Sequence, residues 1–228
     1  MSAADFAANR KGVLRDAAGV GVAVGTYGVS FGALAVTVGM SPAQACALSV
    51  LAFTGGSQFA LVGVLGAGGS VVPGVLTALL LGARNSLYGL RLAPVLRARG
   101  ARRLLAAHLV IDESTAMAVG HEEEQSSRLA FWATGLAVFV FWNIATLVGV
   151  LGATALGDPK KFGLDAAVGA AFLGLLWPRL AGRSAWTVAV VAVAVALLLT
   201  PYLTPGIPVL VAGVIAVAVA LRLPGGRA

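Results

Sequence analysis

Charge is what this sequence lacks most. Only 11% of its 228 residues are Asp, Glu, Lys or Arg, against roughly 25% in a soluble globular domain. With 59% hydrophobic residues and a mean hydropathy of +0.93, a water-soluble fold is excluded and an integral membrane protein is expected. Cysteine is almost missing too. Cys46 stands alone, so neither an internal disulfide nor a cysteine-only metal site can form. With only two histidines beside it, metal chemistry finds too few ligands, and no metal or other cofactor is expected. Cys46 lies in an apolar run and reads as a small buried residue. Acids are few, nine against sixteen Lys and Arg, for a net charge of +7. No aromatic-interleaved basic patch accompanies that surplus, so nucleic acid is not the expected partner; basic loops on the cytoplasmic side of a bilayer account for it. No apolar core precedes the first span, so no cleavable signal is expected.

What the chain has is long uncharged runs, without the alternation of barrel strands. They predict an all-α, polytopic helical bundle with about seven membrane segments, at least one of them broken or re-entrant. Residues 1–16 read as a surface-lying cytoplasmic N-terminal segment, and 17–228 as a single transmembrane transporter domain. Runs at 17–40, 43–65, 71–81 (the start of a span that ends in Gly82–Gly89), 129–156, 164–177, 185–199 and 207–221 are the expected spans, with a moderately apolar helix at 104–120. In the first run Gly21, Gly25, Gly28 and Gly32 recur in steps of four, three and four. That places them on one helical face, a stripe for close approach by another helix. Ser41-Pro42 reads as an N-cap followed by proline at the first helical position. Residues 121–125 read as a solvated acidic loop, and Asp158-Pro159-Lys160-Lys161 as a polar turn. No internal sequence repeat is visible.

The run at 43–65 is interrupted by Gly55-Gly56-Ser57-Gln58. Each glycine weakens a helix by roughly 1 kcal/mol relative to alanine, and freed backbone groups in lipid need protein or a wet cavity to satisfy them. Either a neighbour packs closely here or the helix unwinds toward a ligand, as in transporter binding sites. The basic residues point the same way. Arg10, Lys11 and Arg15 precede the first run, and Arg91, Arg97, Arg99, Arg102 and Arg103 follow the third. Three full crossings would put these clusters on opposite sides. If the 43–65 run is re-entrant, they share one.

The polar residues inside the hydrophobic envelope are the candidates for chemistry. Arg84 lies one turn before Tyr88 and beside Asn85; an intramembrane arginine faces a cavity or snorkels to the headgroups. Trp142, Asn143 and Thr146 cluster in the 129–156 run. Asp112 and Glu113 are the proton-handling candidates, because burial raises a carboxylate's pKa; in a helix at 104–120, His108 would face Asp112 across one turn. A helix end at Gly55–Gln58 would offer N–H groups to a substrate carboxylate. Two other classes stay open: a membrane scaffold for another subunit, and an intramembrane serine protease using Ser57 and His108, on a weak Gly-x-Ser match.

Taken together, Gly28-x-x-Phe31-Gly32, Ser41-Pro42, Gly55-x-Ser57-Gln58-Phe59, Arg84-x-x-Leu87-Tyr88, Asp112-Glu113, and Asp165 before Pro178 resemble the AzlC family over nearly the whole chain. The resemblance implies the large subunit of a bacterial branched-chain amino acid exporter in the inner membrane, partnered by a small AzlD-type membrane subunit. It implies efflux of leucine, isoleucine and valine, with methionine a further candidate, by proton antiport. The substrate-binding residues would be Gly55, Gly56, Ser57, Gln58, Arg84, Asn85, Tyr88 and Asn143, and the proton-coupling residues Asp112 and Glu113. Asn85 stands where relatives often carry histidine, and Ala83 where an acid is common.

Overall fold

A computed structural model describes residues 3–156, 173–174, 176–177 and 180–223. Every regular element among them is helical: α1 (Ala3–Gly25), α2 (Tyr27–Thr37), α3 (Pro42–Leu51), α4 (Gly56–Gly66), α5 (Val71–Leu96), α6 (Ala101–His108), α7 (Asp112–Val119), α8 (Glu124–Leu156), α9 (Arg183–Leu199) and α10 (Ile207–Arg222). Asn9–Thr37, Val71–Leu96 and Glu124–Ala155 are long and apolar enough to cross a membrane. Most of the expected span at 164–177, with Asp165, Pro178 and the turn at 158–161, lies outside the described residues.

The glycine stripe decides how the longest helices pack. A Cβ on Gly21 would meet Ala137 at 2.8 Å, one on Gly25 Phe141 at 2.5 Å, and one on Gly28 the Trp142 carbonyl at 2.5 Å. At Gly32 the Thr146 carbonyl oxygen stands 2.1 Å from that position. Numbers rise together on both helices, so α1 and α2 run parallel to α8 with their backbones in contact. Small residues permit this approach, which in lipid supplies the packing energy that water would otherwise provide. The two halves of the first helix meet at Thr26, whose hydroxyl donates to the Ala23 carbonyl at 2.7 Å.

The remaining contacts fix the topology. At one end of the molecule Asn9 donates to Ser126 at 3.3 Å, and Arg97 at the end of α5 pairs with Glu124 at 3.1 Å. At the other end Gly66, closing α4, abuts Val38, just past α2. Residues 42–66 therefore leave and return to the same end: α3 and α4 form a re-entrant hairpin, which resolves the arginine conflict in the sequence. Residues 101–119 do the same from the opposite end. Arg102 lies over the Trp132 ring at 5.2 Å, His108 reaches the Phe139 ring at 5.6 Å, and Ser127 donates back to Ala118 at 2.7 Å. The hairpin tips meet near the middle of α8, where Phe53 and His108 have ring centroids 6.0 Å apart. The final hairpin, α9 and α10, packs on α5, with Gly213 against Leu80 and Gly206 against Pro73.

Several expectations need correction. Helix α1 begins at Ala3 and passes residue 16 without a break, with Val13 and Ala17 buried, so the residues ahead of the first span are continuous with it from Ala3 on. The third span, started at 71–81, runs on past its expected end at Gly82–Gly89: α5 is one helix to Leu96. The helix expected at 104–120 is two, parted at residues 109–111, and His108 therefore does not face Asp112 across a turn. The loop at 121–125 is partly built into α8: Glu123 accepts from Ser126 at 2.6 Å, and Glu124 bridges Arg97 and Arg128.

Candidate functional site

Each hairpin is closed at its tip by the same device. In the first, Gly55 has a φ of +61°, a backbone state open to glycine at little cost, and it turns the chain from α3 into α4. Gln58, fully buried, accepts from the Gly55 N–H at 3.2 Å and donates to the Leu48 carbonyl at 2.9 Å. In the second, Ser114 accepts from the Ile111 N–H at 3.1 Å and donates to the Leu109 carbonyl at 2.6 Å. In both, a polar side chain three residues into the second arm ties its entry to the end of the first arm. These bonds satisfy backbone groups that lipid could not.

Between the tips lies a cavity of about 210 Å³, lined by Tyr27, Phe53, Thr54, Gly55, Gly56, Phe59, Arg84, Asp112, Glu113 and Trp142, with Val24, Leu81, Ile111, Val138 and Leu176. It is smaller than the roughly 300–1,000 Å³ of pockets for drug-sized ligands, and suits a metabolite of a few heavy atoms. The Arg84 guanidinium reaches across it to Asp112, Nη2 to Oδ2 2.9 Å, with the two side chains 26% and 20% exposed. It passes over Gly56, where a Cβ would lie 3.4 Å from Nη2. Opposite, the Trp142 indole is wedged between Phe31, stacked at 6.0 Å, and Phe59, edge-on at 6.1 Å.

The walls carry opposite charge. Helix α4 brings its N-terminus to the cavity with no acid in its first turn, so its partial positive charge adds to that of Arg84. Helix α7 brings its N-terminus too, but Asp112 and Glu113 occupy that turn and make its side negative. The rest of the lining is apolar or aromatic. Such a chamber can hold a small molecule that bears both charges and an oily tail.

The structure brings together Gly55, Gly56, Arg84, Asp112 and Glu113 of the sequence candidates. It sets the others apart. Ser57 lies under Gly82, and its Oγ has no hydrogen-bond partner; no hydrogen bond joins it to His108, so the protease dyad is not assembled. Gln58 is occupied in the hairpin tip. Asn85, Tyr88 and Asn143 do not line the cavity; Asn143 donates to the Phe139 carbonyl of its own helix at 2.8 Å, and Tyr88 packs on the core. Thr54, Phe53, Phe59 and Val138 also line it, though the sequence reading does not name them as binding residues. Thr54 adjoins the glycine pair and was within reach of the argument, whereas apolar lining residues carry no signal that separates them from core. Among the described residues no cluster of His, Cys, Asp and Glu could hold a metal.

Fold and site together define a polytopic helical membrane protein with a central charged chamber between re-entrant hairpins. The family model described as AzlC protein matches residues 19–156, and the chain belongs to the AzlC family. It is similar to an uncharacterized membrane protein of Archaeoglobus fulgidus, 32% identical over 156 residues, 68% of each chain. It is also similar to the inner membrane protein YgaZ of Escherichia coli, 32% identical over 112 residues, which cover 49% of this chain and 36% of that one. No solved structure matches.

Proposed function

We propose that the chain is the substrate-carrying subunit of an exporter for branched-chain amino acids: leucine, isoleucine and valine, with methionine admitted by the same apolar wall. The observation that carries this reading is the chamber itself. It has a cationic wall of Arg84 and the α4 N-terminus, an anionic wall of Asp112 and Glu113, and otherwise apolar lining. A part-buried chamber with paired opposite charges matches the α-carboxylate and α-ammonium of an amino acid, while Phe53, Phe59, Val138 and Trp142 receive its side chain. An apolar pocket discriminates by only about 1–3 kcal/mol per methylene, so a range of related side chains is accepted.

The drive is proton antiport, with Asp112 or Glu113 alternating between proton and substrate. The protein resides in the bacterial inner membrane and works with a small AzlD-type membrane subunit. Its arginine-rich end, with Arg10, Lys11, Arg97, Arg102, Arg103 and Arg128, faces the cytoplasm by the positive-inside rule, and the first hairpin enters from outside.

Counterflow of labelled leucine in proteoliposomes tests this, with and without the small subunit and across a pH step. Accumulation that needs internal leucine and responds to the pH step is expected. No flux under any condition would favour a scaffold subunit instead.

A further inference from the structure

The helices fall into two packed groups. Helices α1, α2, α3 and α7 pack on α8, whereas α4 and α10 pack on α5, with α9 on α10; between the two groups α2 meets α4, and α5 meets α7 and α8, each sparsely. The cavity lies along this seam. Val24, Tyr27, Val138, Trp142, Asp112 and Glu113 line it from the first group, and Gly56, Phe59, Leu81 and Arg84 from the second. Phe59 packs across the seam on Phe31 and Trp142, and the 2.9 Å ion pair of Arg84 on α5 with Asp112 on α7 is the charged tie between the two groups through the chamber. The other ion pairs among the described residues are Arg15 with Asp16 and the Glu124 cluster at the arginine-rich end.

We propose that the Arg84–Asp112 pair is an internal stand-in for the transported molecule, a latch that holds the seam closed while the chamber is empty. This rests on the reading of the chamber as an amino-acid site, and adds how that site is kept when unloaded. The substrate opens the latch by inserting between its halves, carboxylate to Arg84 and ammonium to Asp112. Each half of the pair then exchanges one partner for another, and the link between the groups becomes a bridge through a ligand that can leave. A molecule with one of the two charges can satisfy one half only. Opening the pair for it would give up the 2.9 Å contact without replacing it on the other side, and losing a partner in a part-buried pair costs more than exchanging it. An empty carrier therefore stays latched, which limits uncoupled leakage.

The test is binding to the full chain purified in detergent, by calorimetry, with three probes sharing one side chain: leucine, its 2-oxo acid α-ketoisocaproate, and its amine isoamylamine. The wild type should bind leucine and bind the other two at least about 100-fold more weakly, in keeping with the rejection of analogues that leave buried polar groups unpaired. The variants carry the stronger signature. Asp112→Asn frees Arg84 from its internal anion and should gain affinity for the 2-oxo acid while losing its preference for leucine. Arg84→Gln should gain affinity for the amine. The double variant R84Q/D112N removes both halves of the pair and should lose the preference for leucine.

A purely structural ion pair would weaken all probes together. That result in well-folded single variants, or equal binding of leucine and the 2-oxo acid by the wild type, overturns the latch. Should the single variants fail to fold, the double variant decides: a retained preference for leucine also overturns it. Leucine counterflow without discrimination among the probes sinks the latch and leaves the exporter reading standing. Absence of both binding and counterflow sinks the reading beneath it.

Discussion

Gly32 and Thr146 meet backbone to backbone: a Cβ on Gly32 would stand 2.1 Å from the Thr146 carbonyl oxygen. The contact is answered one turn away by Gly149, whose Cβ would stand 2.0 Å from the Val29 carbonyl oxygen. Neither obstacle is a flexible side chain that could swing aside. Gly32→Ala must therefore push α2 off α8, and should destabilise by about 1–3 kcal/mol or more, the range of core overpacking. Gly19→Ala is the control, since nothing lies within 4 Å of its Cβ position; helix propensity alone should stabilise it by up to roughly 1 kcal/mol. Melting temperatures in detergent should separate the two in opposite directions.

Gln58 ties the first hairpin tip to itself, and its amide is spent on the backbone. Gln58→Leu keeps the side chain's bulk but leaves the Gly55 N–H without its acceptor. The expected loss is about 1–3 kcal/mol, the penalty for a stranded buried polar group. Because Gly55 and Gly56 form part of the chamber wall, faster amide exchange at Gly55–Ser57 should accompany the lower melting point. A variant that melts like the wild type with unchanged exchange would show that the tip holds without this staple.

Ser57 supplies a sharper contrast, because its sequence context invites a catalytic or binding role. The structure buries it on α4 against Gly82, away from the chamber lining and from any hydrogen-bond partner. Ser57→Ala should leave leucine counterflow unchanged, and a fluorophosphonate probe should not label the wild type. Labelling abolished by the substitution would restore the protease reading.

Much of this was legible in the sequence, and the failures have a common cause. The glycine stripe, the Ser41-Pro42 start and the broken 43–65 run are local signals, carried by residues within a few positions of one another. Ser41 caps α3 together with Gln44, as its type suggests, and the break falls at residues 52–55, just before the glycine pair's helix begins. The second hairpin was invisible because its tip, Leu109-Val110-Ile111, is entirely apolar; nothing in residue type marks a turn there. Its closing bond comes from Ser114, an ordinary residue at an ordinary helical position. The two tips resemble each other in hydrogen bonding and not in sequence, so no repeat could be read. Arg84 stands out in the sequence as a charge within an apolar run, but its partner Asp112 lies 28 positions away on another helix. Pairing at that distance is set by how the hairpins meet.

The meeting of the hairpins can itself be tested with a single bond. If residues 42–66 crossed the membrane, Val38 and Gly66 would sit on opposite faces, about 30 Å apart. In the re-entrant arrangement the Gly66 Cβ position lies 4.0 Å from the Val38 Cβ, inside the roughly 3.5–4.5 Å that a disulfide requires. The variant V38C/G66C, made with Cys46→Ser so that no third thiol competes, should oxidise to an intramolecular disulfide with a mild oxidant. The bond should form in membranes as readily as in detergent, and should survive dilution to concentrations where intermolecular pairs are not seen. Cross-linked protein should keep leucine counterflow if both residues belong to the static rim of the hairpin. Failure of the pair to oxidise, with both thiols open to alkylation from opposite sides of sealed vesicles, would replace the hairpin by a crossing and invert every later helix.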